Sequence, residues 1–168
     1  ISDRDFDNLS EDVKDLNEKV FAVLDEEKGE AMREAILQAA SEGDSVGGVL
    51  ETVILGMPEG VGEPWFDSVE SMLSHMMFSI PAVKGIEFGA GFDIADMRGS
   101  MANDPMRLEE NKVVTTTNNN GGINGGITNG MPIVFRTAIK PTPTIFKPQD
   151  TIDFRAMEEA VLSPKGRH

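Results

Sequence analysis

"NNNGGINGGITNGMPIVFRTAIKPTPT", residues 118–144, joins three kinds of chain. Its first part, 118–130, is dominated by asparagine and glycine. Such a stretch is either a slack linker or a tightly specified loop. Glycine reaches positive φ without steric cost and leaves room for close backbone approach. Asparagine tolerates the left-handed region and adds side-chain donors. Successive N–H groups in such a loop can converge on an anion as a nest. Ile123 and Ile127, four apart and each directly after a glycine pair, argue for a loop packed down by its apolar groups. The GGxxGG spacing is neither GxGxxG nor the GxxxxGK[ST] of a P-loop, so no standard nucleotide fingerprint applies.

The next segment, "PIVFRTAIK" (132–140), alternates as a strand. Ile133, Phe135, Thr137 and Ile139 share one face, and Val134, Arg136, Ala138 and Lys140 the other. "KPTPT" (140–144) then stiffens the backbone with two prolines. It offers hydroxyls at Thr142 and Thr144 and a point charge at Lys140. A stiff lysine–threonine segment beside a glycine loop suits a phosphate or an anionic ring. The bland alternative is a strand exit with a solvated lysine.

Upstream, residues 9–28 read as one helix with Ser10 as N-cap, and 30–41 as a second. "VLETVIL" (49–55) reads as a strand and "GMPEGVGEP" (56–64) as turns. A third helix is expected over about 66–79, with Phe66, Val69, Met72, Leu73, Met76 and Ile80 toward the core. "VKGIEFG" (83–89) and "NKVVTTT" (111–117) read as strands, and "GFDIADMRGSMANDPM" contains a helical turn. "TIFKP" and "TIDF" are read as continuing a sheet, and 155–162 as a short helix. The fold class is α+β with a largely antiparallel sheet. Asp44 in "GDSVGG" is read as a turn-former rather than a functional carboxylate.

The 168 residues suffice for one domain with a real core. Net charge is −14, and residues 1–70 hold 19 acidic against 5 basic side chains. That field disfavours nucleic acid. Residues 111–149 carry Lys112, Arg136, Lys140 and Lys147 and no Asp or Glu, which favours a small anionic ligand there. No apolar run approaches a membrane span. Cysteine is absent, which excludes thiolate metal sites and fits a reducing compartment. The two histidines, His75 and His168, show no zinc spacing and no triad. His75 is read as an ordinary imidazole off the apolar stripe of its helix.

"GDSVGGVLETVILGMPEGVGEP", "SIPAVKGIEFGAGF", "MRGS…ND", "NNNGGINGGITNG", "AIKPTPTI" and "KGRH" follow in one order. The series closely resembles chorismate synthase, from about residue 43 to the end. The resemblance implies a β-α-β sandwich of antiparallel sheets and helices, with 1–168 forming one incomplete segment of that domain. It implies reduced FMN as cofactor and a cytoplasmic homotetramer. It also implies a 1,4-anti elimination of phosphate from 5-enolpyruvylshikimate 3-phosphate, giving chorismate in the shikimate pathway. The matching flavin-contact positions are Pro81 and Ala82, Gly125, Lys140, Pro141, Thr142, Pro143, Thr144 and Arg167. Asn120 stands where many members carry alanine and receives no role.

The family's N-terminal "SHG"-type motif, its second histidine and an arginine–serine segment have no counterpart here. The aspartate that follows "GRH" is also absent. No residue of this chain therefore takes a catalytic assignment, and no metal is expected. The start at Ile1 and the stop at "SPKGRH" are read as marks of a processed chain or a fragment, and the missing motifs imply an interior fragment of about half of the enzyme by ordinary domain size. Such a fragment is expected to be inactive alone and to bind FMN weakly or not at all. Two other readings stand beside this one. One is a free-standing anion- or nucleotide-binding module; the other is an interaction domain with the glycine stretch as a mobile tether.

Overall fold

The structure is a computed structural model that describes residues 1–164. Helices α1 (Leu9–Glu18) and α2 (Glu26–Ser41) precede strand β1 (Gly48–Ile54). Helix α3 (Val69–Phe78), strand β2 (Val83–Phe88) and a one-turn helix α4 (Gly99–Ala102) follow. Then come β3 (Met106–Glu109), β4 (Lys112–Thr115), β5 (Ile123–Asn124), β6 (Ile127–Thr128), β7 (Ile133–Ile139), β8 (Gln149–Asp153) and β9 (Glu158–Leu162). The class is α+β with antiparallel sheets, as expected. The chain forms two compact units, Gly48–Lys140 and the remainder.

The Gly48–Lys140 unit is built on a three-stranded antiparallel sheet in the order β1-β7-β2. Ile54 pairs with Ile133 at one end, and Val83 with Ile139 at the other. A bulge at Lys84 interrupts the second pairing. The expected alternation of β7 holds: Ile133, Phe135 and Thr137 are buried, whereas Ala138 is exposed. Ile123, Ile133 and Phe135 form the core, joined by Ile54, Ile86 and Phe88 of the sheet and by Val69, Leu73 and Met77 of α3. At 25 cal/mol per Å², side chains of this size contribute about 1.5–3 kcal/mol each when buried.

The third helix departs from expectation at its start. Ser68 caps it by accepting the Ser71 N–H, so α3 begins at Val69. Phe66 lies in a preceding 3-10 turn and is exposed, as are Met72, Met76 and Ile80. The stripe packed against the core is Val69, Leu73 and Met77, each half-buried, one residue out of phase at the methionines. The predicted 9–28 helix also breaks. The cap of α1 is Asn8 rather than Ser10, and α1 ends at Glu18. The Asp3 carboxylate accepts the N–H groups of Leu24 and Asp25, which holds the chain extended there. Asp25 then caps α2, so the second helix starts four residues earlier than read.

Residues 155–162 are not a helix. Asp153 accepts the N–H groups of Arg155 and Ala156, and Met157 turns at φ 55°. β9 then pairs back on β8 as an isolated hairpin, so "TIDF" does not extend the larger sheet and "TIFKP" forms no strand. β3 is a further strand that the sequence pattern did not separate, and it pairs with β4.

Candidate functional site

In the Gly48–Lys140 unit, Pro81 and Ala82 follow α3 and lead into β2. Ala82 has φ 74° and its carbonyl accepts the Lys140 N–H at 2.9 Å. A non-glycine residue in the left-handed region costs about 1–2 kcal/mol. Such strain persists only where neighbours fix it, here the end of the β2–β7 ladder. Pro81, Ala82 and Lys140 are thereby brought together at one end of the sheet. The Lys140 side chain is exposed, and among the described residues no carboxylate pairs with it.

Gly125 lies elsewhere in this unit. Gly125 and Gly126 link β5 to β6 with φ 59° and 89°, the two left-handed residues of a type I′ turn. The Gly126 carbonyl accepts the N–H of Val69, the first residue of α3. Ala82 comes after the far end of that ten-residue helix, about 15 Å along. Gly125 itself is exposed, with nothing within 4 Å of the position a Cβ would take.

The glycine stretch is a specified loop. Gly89 and Gly121 cross so closely that a Cβ on Gly121 would stand 2.5 Å from the Gly89 nitrogen. Asp104 anchors the asparagine run: its carboxylate accepts the N–H groups of Asn119 (2.7 Å) and Asn120 (2.9 Å). It also accepts the Asn120 amide (2.8 Å) and the Thr117 hydroxyl (2.7 Å). Burial pushes this carboxyl up, but the four hydrogen bonds outweigh it and hold the pKa below the usual value. Asn120, without a role from the sequence, is therefore a tie between loop and carboxylate. On the other side, Thr128 bonds Gly60, Val61 and Pro58.

The acid-free window of the sequence is not acid-free in space. Asp104 reaches into it, Glu87 pairs with Arg136 at 2.8 Å, and Asp44 pairs with Lys147 at 2.6 Å. Arg136 and Lys140 therefore do not form a doubled cationic face; of the two, Lys140 is the one with no carboxylate partner among the described residues. The sequence signal for these carboxylates was thin, since each lies far along the chain from its partner.

In the other unit, α2 ends in a Schellman motif. Gly43 (φ 69°) donates to the Ala40 carbonyl and Asp44 to that of Ala39. The turn reading of Asp44 holds, and the residue does more. One carboxylate oxygen accepts the Ser45 N–H at 2.9 Å while the other meets the Lys147 ammonium. The hydrogen bond from Lys147, then that from Ser45, hold the Asp44 carboxyl below its usual value; Asp44 in turn raises Lys147. The Thr142 carbonyl accepts the Ser45 hydroxyl at 2.7 Å, and the Phe146 N–H donates to the Gly43 carbonyl at 2.9 Å. Pro141, Thr142, Pro143 and Thr144 are all exposed. Thr142 and Thr144 line an open groove of about 430 Å³ together with Ile36, Asp44, Ser45 and Phe146. Arg167 lies outside the described residues.

Among the described residues no cluster of histidines and carboxylates could hold a metal, and no helix is long and apolar enough to cross a membrane. What the chain presents is an α+β scaffold offering a lysine, threonine hydroxyls and tight glycine turns. The sequence model of the chorismate synthase family matches residues 6–168, and the chain belongs to that family. It is 52% identical to the chorismate synthase of Thermococcus kodakarensis over 143 residues, 85% of this chain and 40% of that protein. To the chorismate synthase of Methanosarcina barkeri it is 45% identical over 161 residues, 96% of this chain and 44% of that one. A crystal structure of chorismate synthase superposes with a TM-score of 0.66 at 41% identity, covering 70% of this chain and 36% of the other. The chain thus spans about two fifths of the length of the curated relatives it matches.

Proposed function

We propose that this chain serves in a reduced-FMN-dependent chorismate synthase, a lyase that eliminates phosphate from 5-enolpyruvylshikimate 3-phosphate. The single observation that carries the reading is the family match over residues 6–168. The units are read as parts of one chorismate synthase domain, acting in a cytoplasmic homotetramer. Held by these residues, the reduced flavin would supply transient electron donation and help in proton removal, with no net redox change. The donor chemistry present fits it: an exposed ammonium at Lys140 that no carboxylate pairs among the described residues, and exposed hydroxyls at Thr142 and Thr144. Pro81, Ala82, Gly125 and 140–144 are the proposed flavin contacts among the described residues, with Arg167 added from the undescribed end.

The role of the chain's own residues is to bind and orient. Lys140 offers charge to an anionic group, and the strained Ala82 turn fixes its backbone beside the sheet end. No acid–base group is assigned, so the 168-residue chain is expected to form no chorismate alone. The test is a chimaera in which these residues replace the matching segment of the Thermococcus kodakarensis enzyme. With reduced FMN under anaerobic conditions the chimaera should form chorismate, and its Lys140→Ala form should lose most of that activity. A folded chimaera without activity defeats the reading.

A further inference from the structure

We infer that Asp44 and Lys147 are positioning residues: through the C-terminal turn of α2 they set the backbone of the 142–146 segment for a phosphate-bearing planar ligand. The inference rests on the flavin reading of that segment. Three contacts tie it to the turn, each across about a hundred residues of chain. They are the Asp44–Lys147 ion pair, the Ser45 hydroxyl on the Thr142 carbonyl, and the Phe146 N–H on the Gly43 carbonyl. Gly43 completes the seat, because a Cβ there would stand 3.1 Å from that of Phe146.

The arrangement has a chemical logic. Thr142 spends its carbonyl on Ser45, while Thr144 is exposed on the same groove. The structure assigns neither threonine hydroxyl a protein partner among the described residues. The clamp therefore uses backbone and flanking charges and leaves the hydroxyls as donors. Pairing Lys147 with Asp44 also withdraws that cation, so the anion is met by groups before residue 147 rather than by Lys147 itself.

The test uses the whole chain, with amide exchange and FMN titration both read by NMR, so that millimolar binding is still seen. Asp44→Asn and Lys147→Met should each speed exchange of the Phe146 amide roughly two- to fivefold, the range of an exposed ion pair. The double exchange Asp44→Lys with Lys147→Asp should recover most of that protection. In high salt, where the screening length is about 3 Å, the differences should shrink. FMN-induced shifts at Thr142 and Thr144 should saturate at correspondingly higher FMN in the single variants and return in the charge-swapped pair. Unchanged Phe146 exchange in both single variants overturns the inference. So does altered exchange with unaltered FMN affinity. A parent chain without FMN shifts matches the weak or absent binding expected of it alone; the titration then moves to the Thermococcus kodakarensis chimaera, where absent FMN shifts defeat the flavin reading while the exchange ratios still decide on the clamp.

Discussion

Adjacent glycines at the tip of the β5–β6 hairpin give a sharp test of the loop. Both have positive φ, yet their surroundings differ. A Cβ on Gly125 would meet nothing within 4 Å. One on Gly126 would stand 2.6 Å from the Glu63 carbonyl oxygen and 2.6 Å from the Ser68 Cβ. Gly125→Ala should therefore cost only the left-handed strain, about 1–2 kcal/mol. Gly126→Ala should add about 1–3 kcal/mol for overpacking against backbone that cannot move away. Gly125→Asn creates Asn-Gly, the preferred pair for a type I′ turn, and should stay within about 0.5 kcal/mol of the parent. Urea denaturation followed by Trp65 fluorescence or circular dichroism reads the differences as shifts in midpoint at constant slope. Equal losses for the two alanine variants would refute the reasoning, because they would mean that the Gly126 contacts carry no weight. The asparagine variant has a second use: if Gly125 is a flavin contact, it should fold normally and bind FMN more weakly.

Other outcomes follow from the same geometry. Phe135, 3% exposed and facing Phe88 at 5.7 Å between ring centroids, should cost about 3–5 kcal/mol on Phe135→Ala, measured by thermal or urea unfolding. Asp104 has a folded pKa below its unfolded one, so its stabilisation is present above about pH 4 and is lost as pH falls through the lower folded value. Protection of the Asn119 and Asn120 amides should therefore drop in that acid window. Asp104→Asn, which puts an amide among these donors, should remove protection at neutral pH, at a cost of about 1–2 kcal/mol after solvent screening. Retained protection in the variant would contradict the anchoring role.

Strands with strong alternation and branched side chains were legible in the sequence: β1, β2 and β7 fall where the pattern put them. The failures have causes outside the local pattern. Across 9–28 the apolar period runs on, but Asp3, over twenty residues upstream, takes the Leu24 and Asp25 amides and breaks the helix. "RAMEEAVL" has good helix formers, yet the Asp153 turn folds it back as a strand, tertiary pairing overriding propensity. At the candidate site, the order of the glycine stretch and the packing of Ile123 could be read from residue chemistry. The pairing of Ala82 with Lys140 could not, because it depends on the register of β2 against β7. Nor could the clamp of Asp44 on Lys147, or the four bonds on Asp104, since a charge pattern along a chain carries no record of which acids return in space.

Order in the glycine stretch also bears on chemical ageing. The stretch holds three Asn-Gly steps, at 120–121, 124–125 and 129–130. At such a step the glycine nitrogen attacks the asparagine side-chain carbonyl and expels ammonia, closing a succinimide that water opens to aspartate or isoaspartate; asparagine is accordingly a heat-labile residue. At 120–121 both reactants are restrained, the Gly121 N–H by the Asn118 carbonyl and the Asn120 amide by Asp104. At 124–125 the turn is exposed, and among the described residues the asparagine side chain has one partner, the Asn129 amide, which donates to its Oδ1. Damage in stored protein should therefore begin at the hairpin tip and spare the asparagine run, so that isoaspartate mapping dates the loop's loss of order from the outside inward.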